Sequence, residues 1–362
     1  MDRVSELNKI HYEYFKRLIV DGRIKYSINL SGEIYENNEE NLIQISRYLW
    51  YFSAVNIDSD PLLCDKIYEN IIKYYHVTNG GFKWSETDED YHLYSLSFAL
   101  YGITEYYKLN NSEKVKEIII SLVNFIETNF YDKDNDIYYE QLDKQLCCIP
   151  ENKIGIDRDT YTANSIIHLL EAYTNLCRVD ESFIKLLTKV LNILINKFYS
   201  NNGYFYQYLE KNQLPVNSPI SYGHDIETMW LIVEAITVSN LNLDSYQEIL
   251  LSVCQNVDKV ITDDGYLPTT SSSDNSTWWA IAEAVVGFAI ADKYGIQKNN
   301  TYKLLKTYFI DNVFKNGYSI NTFNQHGSII TGDNANCWKT PYHDGRMFLK
   351  LLEIEKVKSI KL

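Results

Sequence analysis

Several features that would narrow the function are missing from this sequence. It has no apolar run long enough to span a bilayer, and no basic segment followed by an apolar stretch near its start. We therefore expect neither a membrane-spanning segment nor a secretory leader, and we predict a cytoplasmic protein. Positive charge is scarce, because 34 Lys and Arg stand against 48 Asp and Glu, for a formal net charge of −14. Nucleic acids and anionic membranes carry charge of the same sign, so neither is expected as a partner.

Cysteine motifs and linkers are missing as well. The six cysteines show neither CxxC nor Cys–His ligand spacing, so no metal site is predicted and free thiols are expected. No stretch rich in Pro, Gly or Ser divides the chain, and we predict a single domain over residues 1–362.

A turn followed by aromatic or β-branched residues occurs six times. Asn-Gly and Asp-Gly pairs in this setting are typical of tight turns between short strands. The copies recur about every 50 to 70 residues, which indicates a structural repeat. They are Asp21–Tyr26, Asn79–Trp84, Asn135–Tyr139, Asn202–Tyr206, Asp264–Leu267 and Asn316–Ser319.

Two stretches with helical spacing lie between successive copies of the turn. Leu93, Leu96, Leu100 and Ile103 illustrate the one-sided apolar pattern of a packed helix. We count about twelve helices in six hairpins, which bury their inward faces if they close into a ring. The prediction is an all-α fold, an (α/α)6 barrel with short β-hairpin-like loops at one mouth. A helical solenoid is the alternative, but its repeats are usually shorter.

The segment from Ser221 to Glu227, SYGHDIE, opens one of these helices with a histidine and two acids. His224 and Glu227 are three residues apart and share a helix face, so the acid is expected to orient the imidazole. Asp225 suits the positive end of the helix dipole. A capped helix start with a surface histidine would explain this segment on its own.

Further polar groups interrupt apolar helices. Arg47 lies among aromatic residues and needs an anionic or carbonyl partner if it is buried. His168 lies in mid-helix with Asn164 one turn before it, and for His168 or His92 alone a core histidine is the simpler interpretation.

Two more segments carry aromatic and polar residues near the C-terminus. Trp279 and Glu283 are four residues apart on one helix face and suit a platform for a sugar. His343 is predicted in a loop just before the last helix, a common place for catalytic residues.

Together these segments resemble the N-acylglucosamine 2-epimerase superfamily, and within it the cellobiose 2-epimerases. Five motifs in the family's order carry the resemblance: SRYLWYFS, NSIIHLLEAYTNL, SYGHDIE, WWAIAEAVVGF and WKTPYHDGR. The resemblance implies the same (α/α)6 barrel, and reversible epimerisation at C2 of a reducing-end aldose without a metal or redox cofactor. The implied reaction removes the C2 proton of the open-chain sugar and returns a proton to the opposite face of the enediolate. Two imidazoles suit this task, and we expect the rate to fall below about pH 6 as they protonate.

The resemblance also implies roles for individual residues. By correspondence, His224 and His343 are the acid and base, and His168 assists ring opening. Arg47 corresponds to an arginine that stabilises charge on the sugar oxygens. Further positions are expected to bind substrate or orient the histidines: Tyr94, Glu227, Trp230, Trp279, Glu283 and Trp338 by correspondence, and Asn164 from its place beside His168.

The sequence leaves the substrate open. The family pattern usually has Gln at Ile281, His at Gln44 and Asn at Asp344. We predict a β-1,4-disaccharide such as cellobiose or lactose, and a monomer or homodimer. The alternatives are an N-acylhexosamine 2-epimerase, a mannose-type aldose–ketose isomerase, an inverting glycoside hydrolase and an inactive sugar-binding barrel.

Overall fold

A computed structural model of the protein describes residues 3–55, 60–150, 152–156 and 160–360. Twelve α-helices lie in these ranges and form two concentric rings. The inner helices are α2 (Leu42–Ala54), α4 (Leu93–Asn110), α6 (Ala163–Cys177), α8 (Tyr222–Val238), α10 (Trp278–Tyr294) and α12 (Tyr342–Ile360). The outer helices are α1 (Arg3–Lys16), α3 (Pro61–Tyr74), α5 (Glu113–Asn129), α7 (Ile184–Ile193), α9 (Gln247–Asp258) and α11 (Thr301–Tyr308).

The inner helices form a closed ring. Each packs against the next along the chain, and α12 packs against α2. Each of α3, α5, α7, α9 and α11 packs on the inner helix that precedes it, while α1 packs on α12. The predicted (α/α)6 barrel is therefore confirmed, and its sixth hairpin joins the first and last helices of the chain.

Glycines allow close contact between neighbouring inner helices. A Cβ on Gly102 of α4 would stand 2.5 Å from the carbonyl oxygen of Ser46 in α2. A Cβ on Gly287 of α10 would stand equally close to the side chain of Ile226 in α8. Helix α10 is buried along nearly its whole length, which explains why it is apolar nearly all round.

Short antiparallel strands connect the helices. The pairs are β1 (Ile19–Val20) with β2 (Arg23–Ile24), β3 (Tyr26–Ile28) with β4 (Ile34–Glu36), β5 (Tyr91–His92) with β8 (Gln141–Leu142), β6 (Tyr131–Asp132) with β7 (Ile137–Tyr138), β9 (Thr160–Thr162) with β10 (Tyr208–Glu210), and β12 (Phe314–Lys315) with β13 (Tyr318–Ser319). Three further strands form one sheet in the order β11 (Asn275–Thr277), β14 (Thr322–Asn324), β15 (Ile329–Thr331).

The repeated turns follow the outer helices and pack against the next outer helix. Gly22, at φ +78°, would place a Cβ 2.5 Å from the backbone of Lys66 in α3. Gly317, at φ +102°, would place one 3.0 Å from the carbonyl oxygen of Ile10 in α1. Both the left-handed backbone and the close approach favour glycine, and this accounts for the repeat seen in the sequence.

One outer helix separates each inner helix from the next, so all inner helices run in the same direction. Their N-termini meet at one mouth, where α4, α6 and α10 directly follow β5, β9 and β11. No helix in the described ranges has the length and apolar character to cross a membrane. The prediction that residues 1–362 form a single domain stays a prediction.

Candidate active site

The predicted site residues other than Trp230 and Trp338 lie in two layers at this mouth. Because the inner helices are parallel and start at the same level, side chains at equal distances from each start lie at equal depth. The upper layer, at the second or third residue of its helix, contains Tyr94, Asn164, His224, Trp279 and His343. The lower layer, about one turn further, contains Arg47, His168, Glu227, Glu283 and Arg346.

The last helix starts earlier than predicted. His343 was expected in a loop, but α12 begins at Tyr342, directly after Pro341. His343 therefore lies in the first helical turn, with Arg346 three residues later on the same face. Both side chains reach the same carboxylate, that of Glu283.

His343 is held by Glu283 of α10. Its Nδ1 lies 2.7 Å from Oε1 of Glu283. The same carboxylate accepts hydrogen bonds from Arg346 Nη2 at 2.6 Å and from Trp230 Nε1 at 3.1 Å. Arg and Trp N–H groups only donate, so we assign Glu283 as the acceptor and the shared proton to His343 Nδ1. Nε2 of His343 is then free to accept a proton.

His168 has the same kind of partner. Its Nδ1 lies 3.0 Å from Oε2 of Glu171, three residues later on α6. Glu171 also accepts from the hydroxyl of Tyr342 and from Nη1 of Arg346. Burial alone would raise the pKa of Glu171, but the charge of Arg346 and the bond to His168 lower it below its ordinary value. An ionised Glu171 fixes the proton of His168 on Nδ1.

Arg346 connects three inner helices. Its guanidinium binds Glu171 of α6, Glu227 of α8 and Glu283 of α10, and all four side chains are buried. Burial raises the pKa of Glu283, and the charge and hydrogen bond of Arg346 oppose that rise. Three buried carboxylates beneath the mouth therefore share one cation.

Part of this network has the spacing of a metal site. Within the described ranges, ligand atoms of Glu227, Glu283 and His343 lie within 4.8 Å of one another. Arg346 binds both of these carboxylates. Its guanidinium takes the position of the compensating cation, so we interpret the group as part of the arginine network.

His224 is held differently from the prediction. Glu227 was expected to orient it, but Glu227 binds Arg346 instead, because that guanidinium offers a charged partner deeper in the barrel. Nδ1 of His224 lies 2.9 Å from the hydroxyl oxygen of Ser221. Its ring lies 4.7 Å from that of Trp279, and burial lowers its pKa to about 4.

Trp279 lies between the two histidines. Its helix, α10, stands between α8 and α12, and its ring centroid is 5.8 Å from that of His343. Burial also lowers the pKa of His343 below its ordinary value. Burial therefore disfavours the imidazolium form of both residues, and both imidazole rings pack against the same indole ring.

Arg47 and Tyr94 line the opposite arc of the mouth. Nη2 of Arg47 donates to the hydroxyl of Tyr94 at 2.7 Å, and its guanidinium lies 4.2 Å from the ring of Phe98. Nε of Arg47 and Oδ1 of Asn164 are buried without a hydrogen-bond partner in the described part of the chain. Buried polar groups are rarely left unpaired, so these atoms are available to a polar ligand.

Trp338 marks the outer rim of the site. It is 42% exposed, and its ring centroid is 6.4 Å from that of Trp84. A surface cavity of about 570 Å³ opens beside these two rings and is also lined by Asn37, Glu39 and Glu86. Aromatic faces next to amides and carboxylates suit the apolar faces and hydroxyls of a sugar.

The sequence matches the family described as N-acylglucosamine 2-epimerase (GlcNAc 2-epimerase) over residues 22–343. The chain belongs to the N-acylglucosamine 2-epimerase family. The cellobiose 2-epimerase of Dictyoglomus turgidum is 30% identical over 349 residues, which cover 87% of each chain. The solved cellobiose 2-epimerase of Bacillus thermoamylovorans superimposes with a TM-score of 0.88 at 23% identity, over 98% of this chain and 100% of that one. A solved D-mannose isomerase gives a TM-score of 0.85 at 14% identity, over 97% of each chain. At these identities the solved structures show the shared fold.

Membership in the N-acylglucosamine 2-epimerase family confirms the predicted family and the class of carbohydrate epimerase. The roles of single residues stay predictions. Sequence reasoning missed Glu171, Tyr342, Arg346 and Ser221. Arg346 had a usable signal, because it follows His343 by three residues and a buried arginine needs anionic partners.

Proposed function

We propose that this protein is a cofactor-independent 2-epimerase of a reducing-end aldose. The observation that carries the proposal is the pair of imidazoles that pack against Trp279. Each has its Nδ1 held by a partner, His343 by Glu283 and His224 by Ser221. Each therefore offers Nε2 for proton transfer. Two such groups facing one bound sugar can serve opposite faces of its C2 atom.

The first steps open the sugar ring and acidify C2. His168, with its proton fixed on Nδ1 by Glu171, presents Nε2 to accept the O1 hydroxyl proton during ring opening. Arg47 and the hydroxyl of Tyr94 lie across the mouth and stabilise negative charge on the sugar oxygens. The inner-helix N-termini converge on the same place, and their dipoles favour an anion there.

The central step moves one proton at C2. One neutral imidazole takes the C2 proton and becomes an imidazolium, and the bond electrons form the enediolate. The other imidazole, protonated beforehand, delivers its proton to the opposite face of C2 and becomes neutral. The pair thus holds one transferable proton before and after the reaction and two while the enediolate exists, and the reverse reaction exchanges the roles of His224 and His343.

The proposed substrate is a β-1,4-disaccharide such as cellobiose or lactose. The named relatives include cellobiose 2-epimerases. Trp338 and Trp84, next to the cavity at the rim, provide aromatic surface for a second sugar beyond the reducing end. Trp230 supports the site from below, through its hydrogen bond to Glu283.

The test is incubation with cellobiose, lactose, glucose, mannose and N-acetylmannosamine in heavy water, followed by NMR of the products. We expect deuterium at C2 of an epimeric disaccharide. A ketose product would instead identify an aldose–ketose isomerase, and an increase in reducing ends would identify a hydrolase. Epimerisation of N-acetylmannosamine alone would move the substrate class to N-acylhexosamines. No exchange on any of these sugars by the folded protein would refute the proposal for them.

A further inference from the structure

Ser221 occupies the N-cap of α8 but does not cap the helix with its side chain. A serine at this position usually accepts a hydrogen bond from a backbone N–H of the first turn. Here its side chain makes no such bond, and its hydroxyl lies 2.9 Å from Nδ1 of His224. The side chain at the capping position therefore contacts an imidazole of the candidate site instead of the helix backbone.

The backbone around Ser221 is firmly held. Ser221 forms an antiparallel bridge with Thr270, and Tyr222 N donates to the carbonyl of Thr269 at 3.0 Å. One residue earlier, Ile220 N donates to the hydroxyl of Ser271 at 3.0 Å. Ser221 itself is only 6% exposed. Its hydroxyl is thus a fixed partner for the histidine ring.

Among the residues that the structure describes, no carboxylate binds Nδ1 of His224. Glu227, the acid on the same helix face, binds Arg346. His343 and His168, by contrast, both have a glutamate at Nδ1. A carboxylate stabilises an imidazolium through charge, whereas a hydroxyl accepts the same N–H without adding charge.

We propose that Ser221 is a positioning residue whose hydroxyl oxygen accepts a hydrogen bond from Nδ1–H of His224, so that Nε2 alone exchanges protons with the sugar. The same contact serves both protonation states, because Nδ1 carries a proton in the imidazolium and in the neutral form that presents Nε2 as base. The neutral partner leaves His224 less basic than a carboxylate would. This inference rests on the proposed epimerase function.

The experiment compares three variants. Ser221→Ala removes the hydroxyl, Ser221→Thr retains one, and Ser271→Ala removes a neighbouring hydroxyl that bonds the same loop without contact to His224. We expect kcat of Ser221→Ala to fall by about tenfold to a hundredfold with KM nearly unchanged. Ser221→Thr should recover most of that loss, and Ser271→Ala should match the wild type. Since the side chain does not cap α8, the Tm of Ser221→Ala should stay close to that of the wild type.

Isotope effects separate positioning from a general structural role. With sugars deuterated at C2, the primary isotope effect on kcat should increase in Ser221→Ala for the epimer whose proton His224 removes. It should not increase for the other epimer, because His343 removes that proton. Equal changes in both directions, or an equal loss in Ser271→Ala, would overturn the inference.

A second readout needs no substrate. The ¹⁵N NMR signals of the imidazoles report which nitrogen carries the proton, and the His224→Asn variant identifies the signals of His224. We expect the Nδ1–H form in the wild type and a mixture of both neutral forms in Ser221→Ala. An unchanged signal would refute the role of Ser221 even if the wild type epimerises sugars. If the wild type acts on no sugar, the function fails while this measurement still decides how Ser221 holds His224.

Discussion

His343 and His224 serve the same mouth but are held by different kinds of partner. His343 depends on Glu283 from a neighbouring helix, and that carboxylate is itself bound by Arg346 and Trp230. His224 depends on Ser221, the residue just before its own helix. The first arrangement is charged and forms only when separate helices meet, whereas the second is neutral and local. The two histidines of the proposed donor and acceptor pair therefore differ in that one imidazole has an anionic partner and the other does not.

The largest expected effect comes from removing either imidazole. His224→Asn and His343→Asn should each lower kcat for epimerisation on the order of a thousandfold. Each variant should still exchange the C2 proton of one epimer with heavy water, because the other histidine remains. NMR of both epimers in deuterated buffer measures this. Exchange of the same epimer by both variants would show that the two histidines do not serve opposite faces.

Arg346→Leu removes the guanidinium from the charged network that holds His343. It leaves Glu171, Glu227 and Glu283 buried without their shared cation, which should lower the free energy of unfolding by roughly 3–5 kcal/mol. Urea unfolding measures this. The control is Arg3→Leu, which removes an exposed ion pair with Asp311 and should change stability by less than about 1 kcal/mol. Equal losses of stability in the two variants would contradict the expectation that the buried network stabilises the fold more than an exposed ion pair does.

Glu283→Gln keeps the size of the partner of His343 but removes its charge. The imidazolium of His343 then loses stabilisation, so we expect kcat to fall about tenfold to a hundredfold. Steady-state kinetics in both directions measure the loss. Glu127→Gln, which alters a partly buried carboxylate bonded to Tyr138, Tyr173 and Lys189, serves as control and should retain full activity. A Glu283→Gln variant as active as this control would show that His343 needs no anionic partner.

The pH profile should reflect burial of His224. Burial disfavours the imidazolium and lowers the pKa of His224 to about 4. The base form therefore persists as pH falls through 6.5, the ordinary value. The loss of kcat/KM that protonation of this base causes should set in only as pH approaches about 4. This revises the fall below about pH 6 expected from unperturbed histidines. Measurement of kcat/KM against pH on folded protein decides between the two expectations. A low-pH loss of activity with its midpoint near 6.5 would contradict the effect of burial on His224.

The smallest expected effect is that of Gly223→Ala. The added Cβ would stand 2.6 Å from the ring of Trp279, so the ring must shift beside His224. We expect KM to rise several-fold with a smaller change in kcat. Gly345→Ala is the counterpart near His343, where the added Cβ meets Tyr51 rather than a residue of the site, and should lower stability with little change in KM. An unchanged KM in Gly223→Ala would argue against Trp279 as a sugar surface.

The fold was predictable because its signals are local and repeated. Turn residues and helical periodicity depend on a few neighbouring positions, and six copies indicated a ring. The sequence also indicated which helix faces are inward, since His224 and Glu227 both point to the barrel interior as their spacing predicts. It could not show which partner each would choose.

The partners in the site depend on contacts that are distant in the chain. Glu171 and Arg346 are 175 positions apart and meet only when α12 joins the ring. The prediction that Glu227 orients His224 was wrong because a guanidinium from another helix competes for that carboxylate. Ser221 is part of the SYGHDIE segment, but a serine just before a helix is typical of an ordinary helix cap, so its contact with His224 was not predicted.

The arginine that joins three helices also has a consequence for how the protein is made. Glu171, Glu227 and Glu283 are synthesised on α6, α8 and α10, before the ribosome has added α12. Until that helix docks, the three acids lack the guanidinium that binds all of them in the folded barrel, and burying them without it would be costly. Helix α12 thus brings both His343, one of the two proposed proton-transfer groups, and the guanidinium that binds all three acids. A nascent chain that has not yet added α12 lacks the sixth inner helix of the ring and one member of the proposed histidine pair.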